Sequence, residues 1–183
     1  TPMTEAHLPL GPGAEFDAVR AMLARWGPAA RGTGDDAALL DVPAGQRLVV
    51  STDTSVENVH FRRAWLLPEE IGYRAVTAAV SDLAAMAASP LAMVVALTIP
   101  VAWREQNGAL ADGIAAAARA TGTPIVGGDL TRGGELSLGV TVLGAVERPL
   151  TRDGARSGNV VWVTGRLGGP GLALDALAAA RTP

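Results

Sequence analysis

The sequence predicts an α/β (α+β) domain built on one sheet, and three observations carry that prediction. Apolar runs of strand length alternate with longer stretches of helical period. Glycine and proline fall at the joints between them rather than inside them. The chain is 183 residues long, 49% hydrophobic and 18% charged, so it can bury a core and is not a disordered polymer.

Taken in order, residues 1–14 are rich in proline and glycine and are expected to be flexible. Residues 15–26, EFDAVRAMLARW, set Phe16, Val19, Leu23 and Trp26 on one helical face, and Gly27–Pro28 stops the helix. The runs DAALLDV (36–42) and QRLVVSTD (46–53), separated by PAG, are expected as two strands. Pro68 followed by Glu69 and Glu70 opens a helix to about Ala87, because proline suits the first turn and acids favour its positive dipole end. LAMVVALTI (91–99) is a buried strand, 102–120 an Ala-rich helix closed by Gly122, PIV a strand leading into GGD, and 136–146 a further strand. Past the polar connection at 149–159, VVWVTG, RLGGPG and LALDALAAA read as strand, glycine loop and helix, the opening of a second domain. That loop does not fit the G-x-G-x-x-G dinucleotide fingerprint in register.

Composition narrows the chemistry. There is no cysteine, which removes disulfides, thiolate nucleophiles and thiolate metal sites. There is no lysine either, since all fifteen basic residues are arginine, so Walker-A and Schiff-base chemistry are excluded. A net charge of −3 gives no reason to expect a nucleic acid or an anionic membrane as partner. No apolar stretch reaches membrane-span length and no signal-type segment is evident, so the expected location is the cytoplasm.

The acids carry the functional signal. Asp36 sits at a strand mouth in GTGDDAALL, Asp53 follows Ser51 and Thr52 at the end of an apolar run, and Asp129 follows two glycines. Asp82 lies in mid-helix with Ala78, Ala79, Ala85 and Met86 around it and no arginine one turn away. A carboxylate on such an apolar face is costly unless it is hydrogen-bonded, paired or bound to a cation. Carboxylates, hydroxyls and water are what Mg²⁺ accepts, and converging acids need several cations among them, hence a polyphosphate. Each acid alone also reads as a solvated turn or strand end; Asp82 fits that reading least.

Seven ordered segments, AEFDAV, GTGDDAALL, STDTSVENVHF, SDLAAMAASP, VGGDLTRG, LTRDGARSGN and VWVTGRLG, give the chain a resemblance to the thiamine-monophosphate kinase family of the aminoimidazole-ribonucleotide-synthetase superfamily. It runs from Gly13 to about Gly168. It implies an N-terminal ATP- and Mg-binding domain over 15–148, a mixed sheet with helices on one face, and a linker with the start of a C-terminal domain over 149–183. It implies Mg²⁺ ligation by Asp36, Ser51, Thr52, Asp53, Asp82 and Asp129. It also implies nucleotide contacts from Gly128, Asp129 and Arg152, and a thiamine-phosphate contact from His60. The expected reaction is ATP-dependent conversion of thiamine monophosphate to thiamine diphosphate by a homodimer whose sheets pair. No catalytic general base is expected among its residues. The pattern departs at Leu130, where threonine is usual, at GGEL, and at Asn58, where glycine is common. A sister ATP-dependent enzyme of the superfamily, or a catalytically incomplete dimerisation and Mg-binding fragment, is the alternative.

Overall fold

A computed structural model describes residues 13–165 and 167–180. The expected flexible N-terminus therefore lies outside the described residues up to residue 12, and part of the 165–171 glycine loop does so at residue 166. The chain divides into two units, Thr1–Leu150 and Thr151–Pro183.

In the first unit, α1 (Ala14–Trp26) leads through a 3₁₀ turn at Gly27–Ala29 and a long irregular segment to β1 (Arg47–Val56). Then come α2 (Pro68–Ala85), β2 (Ser89–Ile99), a 3₁₀ turn (Val101–Gln106), α3 (Asn107–Thr121), β3 (Ile125–Arg132) and β4 (Ser137–Val146). The strand order is β1-β4-β2-β3. β4 is antiparallel to both neighbours and β2 is parallel to β3, so β1, β2 and β3 share one direction and the sheet is mixed, as expected.

The local chemistry explains the boundaries. At the start of α2, Pro68 has no N–H to leave unpaired, and the Glu70 carboxylate accepts the Leu67 N–H at 2.8 Å. α3 ends because Gly122 takes the left-handed conformation, φ 65°, which lets its N–H close on the Ala118 and Arg119 carbonyls. Leu138, Val140 and Val142 of β4 are fully buried, as are Val76, Ala79 and Leu83 of α2. Each large apolar side chain buried in this way contributes about 1.5–3 kcal/mol. The same sheet face carries Gly144, where a Cβ would stand 3.0 Å from the Leu83 side chain, so α2 lies on that side. The opposite face is open: Leu48 and Val50 of β1 are 48% and 56% exposed.

α2 and α3 cross with almost no space between their backbones. A Cβ on Gly113 would fall 2.0 Å from the Glu69 carbonyl oxygen, and one on Gly72 would fall 2.4 Å from the Leu110 carbonyl oxygen. Glycine at both positions is a packing requirement.

Four sequence expectations differ from the structure. No strand forms over 36–42; Leu39 is 88% exposed there, because Asp35, Asp36, Asp41 and Pro43 interrupt a run too short to find a partner. GGD lies inside β3 rather than after it, and Asp53 lies inside β1 with three strand residues beyond it. Among the described residues of the second unit, a 3₁₀ turn at Arg152–Gly154 and α4 (Gly169–Ala178) are the elements that form. The expected strand at 160–163 is absent, with Val161 and Trp162 almost fully exposed.

Candidate active site

Alternation along β1 sorts its polar residues onto two faces. Ser51 and Asp53 point towards α2 and are partly buried, and Thr52 points to the open face. There the Thr52 hydroxyl meets the Thr141 hydroxyl at 2.9 Å. On the helix side, Ser51 Oγ donates to Asp82 Oδ2 at 2.6 Å and joins the strand to the last turn of α2, since the helix ends at Ala85, contrary to the expected mid-helix position of the acid. Asp82 is exposed, one position from buried Leu83 and three from buried Ala79. The apolar face anticipated around it is the buried stripe beside it; the carboxylate stands at the margin of that stripe with only a hydroxyl for a partner.

Asp36 and Asp129 come together elsewhere. Both line a cavity of about 400 Å³ between α1, the 33–38 segment and β2–β3, whose floor includes Gly127 and Gly128. Its apolar walls include Phe16, Trp26 and Val126, and Thr33 and Asp35 add polar ones. The Asp36 N–H donates to the Asp35 carboxylate at 2.9 Å. Gly128 leaves no room for a side chain, since a Cβ would fall 2.0 Å from the Val95 carbonyl oxygen.

Strand order separates these two groups. Asp53 pairs with Val140, Val140 with Val95 and Val95 with Gly128, so Asp53 and Gly128 end one row across the sheet. Three strand spacings put its ends roughly 14 Å apart. Among the described residues no three of His, Asp and Glu stand close enough together to hold a metal ion. The candidate ligands thus fall into two separate groups, Ser51–Asp53–Asp82 and Asp36–Asp129. The donor chemistry of each suits Mg²⁺, which is held by one or two carboxylates and takes its other ligands from water and phosphate oxygens.

His60 lies in the loop after β1. Its Nδ1 accepts the Val56 N–H at 3.1 Å, leaving Nε2 as the outward nitrogen, and Arg74 Nη1 donates to its backbone carbonyl at 2.8 Å. Asn58, in the same loop, adopts φ 63°, the left-handed conformation that explains why glycine suits this position. Arg152 lies exposed in the 3₁₀ turn of the second unit. Sequence reasoning assigned no role to Glu57. Its carboxylate accepts the Trp103 indole N–H at 2.8 Å and sits 3.4 Å from the Leu136 N–H, tying the ends of β1, β2 and β4 together. An acid three residues before a histidine gave no hint of that.

A mixed four-stranded sheet with carboxylates at strand edges beside a glycine-floored cavity defines the class. Residues 34–146 match the family model of AIR synthase related protein, N-terminal domain, and the chain belongs to that family. Within it, the chain is similar to thiamine-monophosphate kinases. It is 42% identical over 141 residues to the one from Synechococcus elongatus, covering 74% of this chain and 42% of that protein. The crystal structure of thiamine-monophosphate kinase from Stenotrophomonas maltophilia superposes with a TM-score of 0.76 at 37% identity, over 97% of this chain and 56% of that one. A structure described as AaThiL complexed with AMPPCP and TMP superposes with a TM-score of 0.72 at 28% identity, over 92% and 54%. The chain therefore spans about half the length of the proteins it matches.

Proposed function

We propose that this chain is the N-terminal, nucleotide- and metal-binding part of a kinase that phosphorylates thiamine monophosphate with ATP to give thiamine diphosphate. The observation that carries this is the pairing of Ser51 with Asp82: an exposed carboxylate on α2 held against a strand hydroxyl, with Asp53 on the same face. The similarity to a structure holding AMPPCP, an ATP analogue, supports the choice of donor.

The residue inventory suits phosphoryl transfer between two anions. A phosphate monoester has a second pKa near ~6 and is already ionised at neutral pH, so no general base is needed. The barrier is charge repulsion. Mg²⁺, when bound, neutralises phosphate charge, and Asp36, Ser51, Asp53, Asp82 and Asp129 are the groups assigned to hold it, whereas Thr52, expected with them, turns its hydroxyl to the opposite face and onto Thr141. The apolar walls around Gly127 and Gly128 suit a nucleobase, and Gly128 and Asp129 are assigned to the nucleotide; Arg152 is assigned to it through the family resemblance alone. His60, with Nε2 outward, is assigned to the thiamine phosphate. The open sheet face, with Leu48 and Val50 exposed, suits a second copy of the chain and hence a homodimer. Among the described residues no helix is long and apolar enough to cross a membrane, and a cytoplasmic location is part of the proposal.

A narrower reading has its own support. The separation of the two groups of candidate ligands and the half-length match favour a chain that binds Mg-nucleotide and dimerises but turns nothing over alone. One experiment tests both readings. The chain, and the chain fused to the C-terminal domain of a related thiamine-monophosphate kinase, are incubated with Mg-ATP and thiamine monophosphate, and thiamine diphosphate is sought by mass. Product from the fusion alone supports the narrower reading, and product from both supports the first. No product from either, with Mg-nucleotide binding unchanged in Asp82→Asn, would overturn the assignment.

A further inference from the structure

Two arginines at the carboxyl ends of parallel strands have no partner supplied by the fold. Arg104 lies in the 3₁₀ turn that follows β2, and Arg132 is the last residue of β3. Both are exposed, and among the described residues neither makes an ion pair, side-chain hydrogen bond or ring contact. They line one cavity of about 710 Å³, together with Asn107, Thr131 and Asp129. The other acid lining it, Asp17, is already paired with Arg20. Asp129 and Leu130 also line the glycine-floored cavity, so this stretch of β3 stands where the two spaces meet.

The polar inventory of the cavity is that of an anion site. Each free guanidinium offers a planar fork of donors matched to phosphate oxygens. Thr131 adds a hydroxyl. The position also follows the general rule that open α/β sheets bind ligands beyond the carboxyl ends of their parallel strands.

We propose that the cavity bounded by Arg104 and Arg132 is a phosphate subsite, taking the phosphate of a monoester or the end of a polyphosphate and presenting it beside Asp129. This deepens the kinase reading and rests on it only for the identity of the molecule that carries the phosphate. Two sources share the chemistry: the acceptor's phosphate and the donor's terminal phosphates.

The test uses the whole chain carrying Arg104→Gln with Arg132→Gln. The control carries Arg47→Gln with Arg119→Gln, two exposed arginines from the first residue of β1 and the last turn of α3 that remove the same charge. Thermal unfolding confirms that both fold. Calorimetric titration with pyrophosphate should show an affinity at least about tenfold weaker in the first variant, the usual scale for losing charge-assisted hydrogen bonds, with the control within about twofold of wild type. A parallel loss for thiamine monophosphate, with thiamine and Mg-AMPPCP unchanged, supports the subsite as the acceptor's. A parallel loss for Mg-AMPPCP supports it as the donor's. Unchanged pyrophosphate affinity, an equal loss in the control, or no pyrophosphate binding by the wild type overturns the proposal. Pyrophosphate binding that depends on the two arginines, without binding of thiamine monophosphate or nucleotide, keeps the subsite and sinks the kinase reading instead.

Discussion

Replacing Gly113 with alanine sets two effects of opposite sign against each other at the α2–α3 crossing. Alanine is favoured over glycine in a helix by about 1 kcal/mol. Its methyl, however, would stand 2.0 Å from the Glu69 carbonyl oxygen and 2.7 Å from the carbonyl carbon. An ordinary C···O contact is about 3.3 Å, so the first turn of α2 must retreat by roughly 1 Å. The obstacle is backbone rather than a side chain with a spare rotamer. Overpacking of this kind costs about 1–3 kcal/mol net, and the rigid obstacle places Gly113→Ala near ~2 kcal/mol. For a chain of this size that lowers Tm by roughly 4–8 °C. Gly72→Ala, blocked at 2.4 Å by the Leu110 carbonyl, should behave alike. The double variant should lose less than the sum, because helices already forced apart accommodate the second methyl. Gly134, with nothing within 4 Å of a built Cβ, is the control. The measurement is a urea titration followed by circular dichroism. A Gly113→Ala protein as stable as wild type, or more so, would refute the close crossing.

Other outcomes follow from single contacts. Trp103→Phe removes the indole donor to Glu57 and should cost about 1–3 kcal/mol in the same titration, part of it recovered by adding Glu57→Gln, because a neutral amide is cheaper to leave unpaired than a carboxylate. Gly128→Ala should lower Tm and nucleotide affinity together, since the new methyl meets the Val95 carbonyl before it meets any ligand; lost binding with unchanged Tm would contradict that contact. Asn58→Ala should cost about 1 kcal/mol and Asn58→Gly almost nothing, because φ 63° is strained for alanine alone of the three, and equal stabilities would refute a left-handed residue there. Asp82→Asn, exposed and bonded only to Ser51, should leave unfolding within about 1 kcal/mol of wild type and weaken Mg-nucleotide binding at least tenfold in calorimetry.

Elements with long, one-sided patterns were legible in the sequence. The Pro68–Glu69–Glu70 start of α2, the glycine stop of α3, the continuous run in β2 and the alternation of β4 each carry their own chemistry. Short apolar runs were not. DAALLDV and VVWV have strand composition but gain no partner among the described residues, and pairing is a property of the sheet rather than of the segment. The candidate site residues stood out as residue types, but their division into two groups did not. Nothing in Asp53 or Asp129 announces that β4 and β2 come between their strands, because the order β1-β4-β2-β3 is set by non-local pairing. Asp82 was singled out for an apolar environment, yet its true surroundings are a hydroxyl and solvent, a difference of about one position around a helix.

The bond between Ser51 and Asp82 makes the gap between helix and sheet a ruler. Ala79, fully buried one turn before the acid, lets α2 settle low enough for a serine to reach a carboxylate. A bulkier residue hidden at that depth would lift the helix and draw the two oxygens apart, though it touched neither. If Ser51 and Asp82 hold the cation proposed for them, their spacing is written partly in methyl groups that no ligand meets, and a search for variants that retune cation affinity should begin underneath that surface.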